Sequence, residues 1–257
     1  MNQKRDPVGV FDSGIGGIST LREMIRELPD ERFIYYGDTA NAPYGTKGTD
    51  EVIACVRDVV DQLIEKQIKA LVIACNTATG AAAATLRREL SIPVIGMEPA
   101  LKPASQIRKN GSVLVLATPL TLHQEKFENL MKQYGQGAVK VPCPGLMELV
   151  EAGDDTGIRN YLEELFTRYP PEKVDAVVLG CTHYVFLKDR IRAMLPERIA
   201  ITDGNAGTAR QLRRVLEREG LLNEEGPGSV ELETSGTEKD IEMMRKLLAV
   251  QPGDCSD

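Results

Sequence analysis

The sequence predicts an α/β protein built on largely parallel sheets, and three observations carry this prediction. Short runs rich in Val, Ile, Leu and Tyr alternate with longer segments of helical periodicity, which is typical of repeated strand–helix–strand units. Several of these runs lack polar alternation, as strands covered on both faces do. Part of the first half of the chain also recurs in the second half at an offset of 106 residues, the separation of Cys75 from Cys181.

The apolar runs predict nine strands, which lie at 8–11, 33–36, 71–74, 94–95, 113–116, 139–141, 177–179, 199–201 and 230–232. The first connecting helix is indicated by apolar residues at helical spacing that stop before Pro29, namely Ile18, Leu21, Ile25 and Leu28. A second helix is indicated by Val52, Val56, Val59, Val60 and Leu63. Both helices should pack on a sheet. The residues after Val250 contain no apolar anchor and are expected to fray.

The internal repeat predicts two similar α/β halves. ALVIAC at 70–75 aligns with AVVLGC at 176–181, and Asp12 aligns with Thr118. A chain of 257 residues suits two modest domains or one large one. If two such domains face each other across a central cleft, Cys75 and Cys181 lie on opposite sides of it.

Composition and charge exclude several classes of protein. With 42% hydrophobic and 27% charged residues, the chain is not globally disordered. The net charge of −7 and the lack of Lys/Arg clusters with interleaved aromatics argue against nucleic acid as a main partner. The apolar runs are far shorter than the roughly 18 residues of a membrane span, and no apolar signal region precedes the first strand. We therefore expect no membrane partner and a cytoplasmic location.

The cysteine and histidine content argues against disulfides and metals. The five cysteines form an odd set without a CxxC pair, so they should be free thiols: Cys55, Cys75, Cys143, Cys181 and Cys255. The only two histidines are His123 and His183, which leaves few ligands for a transition metal. We expect no metal. His123 is expected near the start of a helix at the surface, and we assign it no role.

The segment FDSGIGG at 11–17 follows a strand and opens a helix. Its glycines permit a tight turn, and its N–H groups can face an anion at the helix N-terminus. A strand-to-helix turn alone explains them. An alternative is a dinucleotide site in which Asp38, after the second strand, binds the ribose, but Ser19 occupies the third glycine position of that motif.

Two cysteines follow buried strands directly, in Cys75-Asn76-Thr77 and Cys181-Thr182-His183. Open α/β sheets bind ligands at the carboxyl ends of their strands, and the start of a following helix favours a thiolate. A small buried thiol at a strand end is commonplace on its own, but the paired occurrence favours function. The loop YGDTANAPYG at 36–45 offers backbone donors and a phenol to a ligand, and Glu151 is expected as a solvated acid in a last helical turn.

Several motifs together resemble glutamate racemase, a family of cofactor-independent amino-acid racemases. They are GVFDSGIGG at 9–17, YYGDTANAPYG at 35–45, ACNTAT at 74–79, LVEAG at 149–153 and LGCTHY at 179–184. The resemblance implies interconversion of L- and D-glutamate for peptidoglycan synthesis, without a cofactor. Inverting a stereocentre by proton transfer needs a base on one face and an acid on the other, and a thiolate and a thiol supply both.

The resemblance also implies a role for each residue of the site. Cys75 and Cys181 are the acid and base; Asp12 assists Cys75 and pairs with the ammonium group, while Glu151 and His183 assist Cys181. Ser13, Tyr44 and Gly45 hold the side-chain carboxylate. The remaining polar groups of glutamate bind Asn76, Thr77, Thr118 and Thr182, with His183 beside them.

The resemblance further implies two α/β domains, the first comprising residues 1–99 and 208–257 and the second residues 100–207, with crossings near Pro99 and Gly207. Members of the family often form homodimers. Two alternatives stay open: an aspartate or hydantoin racemase with the same cysteine pair, and a non-catalytic amino-acid-binding protein with a similar cleft.

Overall fold

The computed structural model describes residues 3–249, which form two compact units. One unit contains residues 3–97 and 205–249, and the other contains residues 98–204. The boundaries predicted from the sequence are 99/100 and 207/208, and the chain crosses between the units at 97/98 and 204/205. The tail that was expected to fray lies outside the described residues.

The first unit is a five-stranded parallel sheet with helices packed on it. Its strands are β1 (Val8–Asp12), β2 (Arg32–Gly37), β3 (Ala70–Ile73), β4 (Val94–Gly96) and β9 (Ser229–Thr234). They lie in the order β4-β3-β1-β2-β9, and every pair is parallel. Its helices are α1 (Ile18–Glu27), α2 (Thr49–Glu65), α3 (Asn76–Glu89), α10 (Asn205–Arg218) and α11 (Glu238–Ala249).

The second unit is a four-stranded parallel sheet. Its strands are β5 (Ser112–Ala117), β6 (Ala138–Pro142), β7 (Val174–Leu179) and β8 (Ala200–Asp203), in the order β6-β5-β7-β8. Its helices are α4 (Leu101–Ile107), α5 (Pro119–His123), α6 (Glu125–Tyr134), α7 (Leu146–Ala152), α8 (Asp155–Arg168) and α9 (Lys188–Met194). The order β8-β7-β5-β6 repeats the order β4-β3-β1-β2 of the first unit, as the 106-residue repeat predicts.

Burial explains why the central strands read as continuous apolar runs. Every residue of β1 and β3 is buried, because helices cover both faces of a parallel sheet. The predicted α/β class with parallel sheets is confirmed. Strand β7 begins at Val174, three residues earlier than predicted. The apolar pattern missed this start because Asp175 is polar; its carboxylate accepts the N–H groups of Lys109 and Gly111, each at 2.7 Å.

None of the helices formed by residues 3–249 is both long and apolar enough to cross a membrane.

Candidate functional site

The first cluster of predicted site residues lies at the C-terminal edge of the five-stranded sheet. Strands β1 and β3 are neighbours, so Asp12 at the end of β1 and Cys75 just after β3 reach the same edge. The Cys75 thiol donates to Ser13 Oγ at 3.7 Å, and Ser13 Oγ donates to Asp12 Oδ1 at 3.3 Å. All three side chains are buried. A hydroxyl therefore connects the thiol to the carboxylate.

Cys75 is also the N-cap residue of α3. Its backbone is extended, and its Sγ accepts the Ala78 N–H at 3.4 Å. The partial positive charge at the start of a 14-residue helix stabilises a thiolate at this position.

Asn76 and Thr77 open the same helix α3 and are buried. Asn76 Oδ1 has no hydrogen-bond partner among residues 3–249. A buried polar atom without a partner is costly, so this oxygen is well placed to bind a ligand.

The loop after β2 is organised by Asp38, a buried carboxylate. Its oxygens accept hydrogen bonds from Tyr44 Oη at 2.5 Å, from Ser235 Oγ at 2.6 Å and from Asn41 Nδ2 at 3.0 and 3.1 Å. Tyr44 is fully buried, and burial together with this hydrogen bond raises the pKa of its phenol well above the usual range. The phenol proton is therefore directed to Asp38, which leaves the backbone N–H groups of this loop as its donors to a ligand.

The same contacts weaken the dinucleotide alternative. Both oxygens of Asp38 accept hydrogen bonds from the protein, so they are already engaged where a ribose would need them. Sequence reasoning considered Asp38 only in that role and missed its contact with Tyr44. The signal that could have revealed this contact is the position of Asp38 directly after a buried strand and six residues before Tyr44.

The glycines at 14–17 serve the turn that carries Asp12 and Ser13. A Cβ at Gly17 would lie 2.7 Å from Asp12 Cβ and 2.8 Å from Tyr35 Oη, so only glycine allows this close approach. Tyr35 Oη donates to the Gly14 carbonyl at 2.7 Å. The motif thus fixes the position of the buried carboxylate.

The second cluster lies at the C-terminal edge of the four-stranded sheet, just after β7. Cys181 Sγ is 3.9 Å from His183 Nδ1, and His183 Nε2 is 2.9 Å from Glu151 Oε1. Because the Glu151 carboxylate accepts the Nε2–H, Nδ1 of a neutral ring faces the thiol as an acceptor. The His183 side chain is 1% exposed, and that of Glu151 is 28% exposed. Glu151 lies in the last turn of α7 as predicted, but it is bound to His183 and is not merely solvated.

Two threonines complete this edge. Thr118 follows β5 and caps α5: its hydroxyl accepts the Thr121 N–H at 3.3 Å and donates to Thr121 Oγ1 at 2.9 Å. Thr182 is buried beside Cys181. His123 is exposed and lies near the start of a helix, as predicted: it ends the short helix α5, and α6 begins at Glu125.

The other two described cysteines are Cys143, which is buried, and Cys55, which lies on a helix. Cys143 follows β6, and burial raises the pKa of its thiol to about 12. Cys55 lies on α2, and burial raises its pKa as well. None of the four cysteines in residues 3–249 forms a disulfide, and Cys255 lies outside the described residues. That same range contains no group of three or more His, Cys, Asp or Glu side chains arranged to hold a metal ion.

Comparison with known proteins identifies the family of the chain. A sequence profile of the Asp/Glu/Hydantoin racemase family matches residues 10–212. A glutamate racemase of Clostridium botulinum is 48% identical over 240 residues, covering 91% of this chain and 93% of that protein.

Solved structures agree as well. A glutamate racemase isoform from Bacillus anthracis has a TM-score of 0.87 at 32% identity, covering 99% of this chain and 98% of that one. A Francisella tularensis glutamate racemase in complex with D-glutamate has a TM-score of 0.82 at 26% identity, covering 96% and 95% of the two chains. With matches that span nearly its whole length, this chain belongs to the Asp/Glu/Hydantoin racemase family.

Proposed function

We propose that the protein is a glutamate racemase that interconverts L- and D-glutamate by two-base proton transfer. The observation that carries the proposal is the pair of strand-end thiols, each connected to a carboxylate. In the first unit the connection runs through the Ser13 hydroxyl to Asp12, and in the second it runs through the His183 imidazole to Glu151. Relatives at 48% identity carry the glutamate racemase name, which supports glutamate as the substrate.

In the proposed reaction Cys75 and Cys181 serve opposite faces of the substrate α-carbon. A thiolate removes the α-proton from one face and becomes a thiol, leaving a carbanion at the α-carbon. The opposite thiol donates its proton to the other face and becomes a thiolate. Charge and protons balance, and the reverse reaction exchanges the two roles.

The proposed substrate contacts use donors and acceptors at both sheet edges. Asp12 pairs with the ammonium group, and the unpartnered Asn76 Oδ1 offers a second acceptor to it. The N–H groups of Tyr44 and Gly45 hold the side-chain carboxylate, because the Tyr44 hydroxyl is engaged by Asp38. Ser13 joins them when its hydroxyl turns from Asp12 to the substrate. Thr77, Thr118 and Thr182 bind the remaining polar atoms.

We further propose that the enzyme acts in the cytoplasm as a homodimer and supplies D-glutamate for peptidoglycan. Light scattering of the purified protein measures its molar mass and so tests the dimer. Depletion in a wall-forming bacterium should be relieved by added D-glutamate, and growth that D-glutamate fails to restore would contradict this role.

The direct test is circular dichroism of L-glutamate incubated with the purified protein and no added cofactor. The signal should decay to zero as the racemic mixture forms, and it should do so from D-glutamate too. Cys55→Ser is the matched control that keeps activity. A panel with aspartate and hydantoins separates the nearer alternative: turnover of these compounds but not of glutamate would overturn the proposed substrate.

The binding-protein alternative is tested by α-proton exchange. Racemisation in D2O should place deuterium at the α-carbon, and Cys75→Ser and Cys181→Ser should each lose racemisation. A protein that binds glutamate tightly but incorporates no deuterium would be a binding protein and not a racemase.

A further inference from the structure

The position of His183 depends on a short turn that has little stability of its own. The turn, Thr182–Leu187, is a 3₁₀ segment without a side-chain cap, and the Tyr184 N–H donates to the Cys181 carbonyl at 3.1 Å. Such turns have poorer hydrogen-bond geometry than an α-helix. Contacts from outside the turn must therefore hold the His183 ring at the Cys181 thiol.

Helix α7 and the residues before it supply those contacts. Cys143 continues the edge of β6, where its N–H donates to the Ala117 carbonyl at 3.0 Å. The chain then passes through Gly145, whose φ of 79° is left-handed, into α7. Glu151, in the last turn of α7, receives the His183 Nε2–H.

A second hydrogen bond joins the turn to the other end of this segment. The Tyr184 hydroxyl donates to the Cys143 carbonyl at 2.9 Å, and the Tyr184 side chain is fully buried. The segment from Cys143 to Glu151 is thus attached to the turn before its first helical residue and again in its last turn. Two attachments restrict the orientation of the turn more than either one does alone.

We propose that Tyr184 is a positioning residue, which holds His183 at the Cys181 thiol through its hydrogen bond to the Cys143 carbonyl. The proposal rests on the proposed racemase function. Burial raises the pKa of the Tyr184 phenol, so its hydroxyl keeps its proton and stays a donor throughout the working pH range.

The test compares wild type with Tyr184→Phe, which removes one hydroxyl and keeps the buried ring. The substrate is a glutamate analogue with a leaving group on the β-carbon, for which removal of the α-proton by one thiolate suffices to expel the leaving group. In the proposed assignment Cys181 serves the L-analogue and Cys75 the D-analogue. Elimination from the L-analogue should fall about tenfold, while elimination from the D-analogue stays within roughly twofold.

Tyr161→Phe is the matched control, because the Tyr161 hydroxyl interacts with the thiol of Cys143 and not with its carbonyl. It should leave the ratio of the two eliminations unchanged. Equal losses for both enantiomers in Tyr184→Phe, or no loss for either, would overturn the proposal.

A second measurement does not depend on turnover. The chain has only two histidines, so the ring ¹H–¹⁵N signals of His183 are assigned by comparison with His123→Gln. Tyr184→Phe should shift the His183 signals and leave those of His123 in place; unchanged His183 signals would contradict the positioning role. If wild type eliminates from neither analogue, the proposed function fails, and the His183 spectrum still decides the role of Tyr184.

Discussion

Cys75 and Cys181 occupy equivalent strand ends but have different neighbours. Cys75 contacts a hydroxyl and caps a helix, whereas Cys181 faces an imidazole. The described contacts of each thiol come from its own unit, so the two proposed bases can be tested one at a time.

We expect Cys75→Ser and Cys181→Ser to lose racemisation almost completely but to retain elimination of opposite handedness. Cys75→Ser should process mainly the L-analogue, and Cys181→Ser mainly the D-analogue, because each variant keeps the base for one face. Chiral chromatography of the unreacted analogue measures both. If both variants consume the same enantiomer, the two cysteines do not serve opposite faces.

The sequence allowed the strand-end cysteines to be predicted because their positions follow directly from the strands. The connections from Ser13 to Asp12 and from Tyr44 to Asp38 were not predicted. They depend on hydroxyl orientation and on which neighbour reaches a buried carboxylate first. Neither is encoded in apolar periodicity.

At the scale of elements, the N-terminal edge of the five-stranded sheet contains a buried ion pair. Lys69, just before β3, and Glu31, just before β2, have side chains only 1% exposed, with Nζ 2.5 Å from Oε2. Glu31 Oε1 also accepts the Asn223 N–H at 2.8 Å, and Lys69 Nζ donates to the Lys4 carbonyl. Burial lowers the pKa of Lys69. The pair connects two strand starts to the chain that leads into β9.

Glu31→Gln should lower the free energy of unfolding by about 3–5 kcal/mol, because it leaves a buried ammonium without its counter-charge. The double variant Glu31→Gln/Lys69→Met should lose less than the sum of the single losses. Urea denaturation measures both. Glu89→Gln, at the exposed Arg57–Glu89 pair, is the control and should have no measurable effect. A Glu31→Gln protein as stable as that control would show that the buried pair contributes nothing.

All nine strands formed by residues 3–249 were predicted, and the clearest signals came from wholly buried strands such as β1 and β3, which are continuous apolar runs. The strand ends were less predictable: β7 includes Asp175, whose side-chain carboxylate accepts the Gly111 N–H, a contact that hydropathy does not record. The buried ion pair was not predicted, because Lys69 and Glu31 are far apart in sequence and resemble surface residues there.

At the scale of the whole molecule, one thiol from each unit contributes to a single proposed reaction. The productive form needs one ionised and one protonated thiol, so kcat/KM should follow a bell-shaped pH profile. The acidic limb reports protonation of the base and the alkaline limb reports ionisation of the acid, and both describe the coupled pair. Because the equilibrium constant of racemisation is one, the kcat/KM profiles for L- and D-glutamate should coincide. A rate that rises monotonically to pH 10 would contradict an essential protonated thiol.

The position of β9 has a consequence for synthesis. The four strands of the second unit come from one continuous stretch, residues 98–204, whereas the first unit needs β9, which pairs only with β2 at the sheet edge. On the ribosome the second unit is therefore the first with all its strands available, while the outer edge of β2 stays unpaired until β9 has been synthesised. Ser235, a partner of Asp38, arrives at that same moment. Translation that stops shortly after residue 204 would yield one finished half and one unfinished sheet edge open to aggregation.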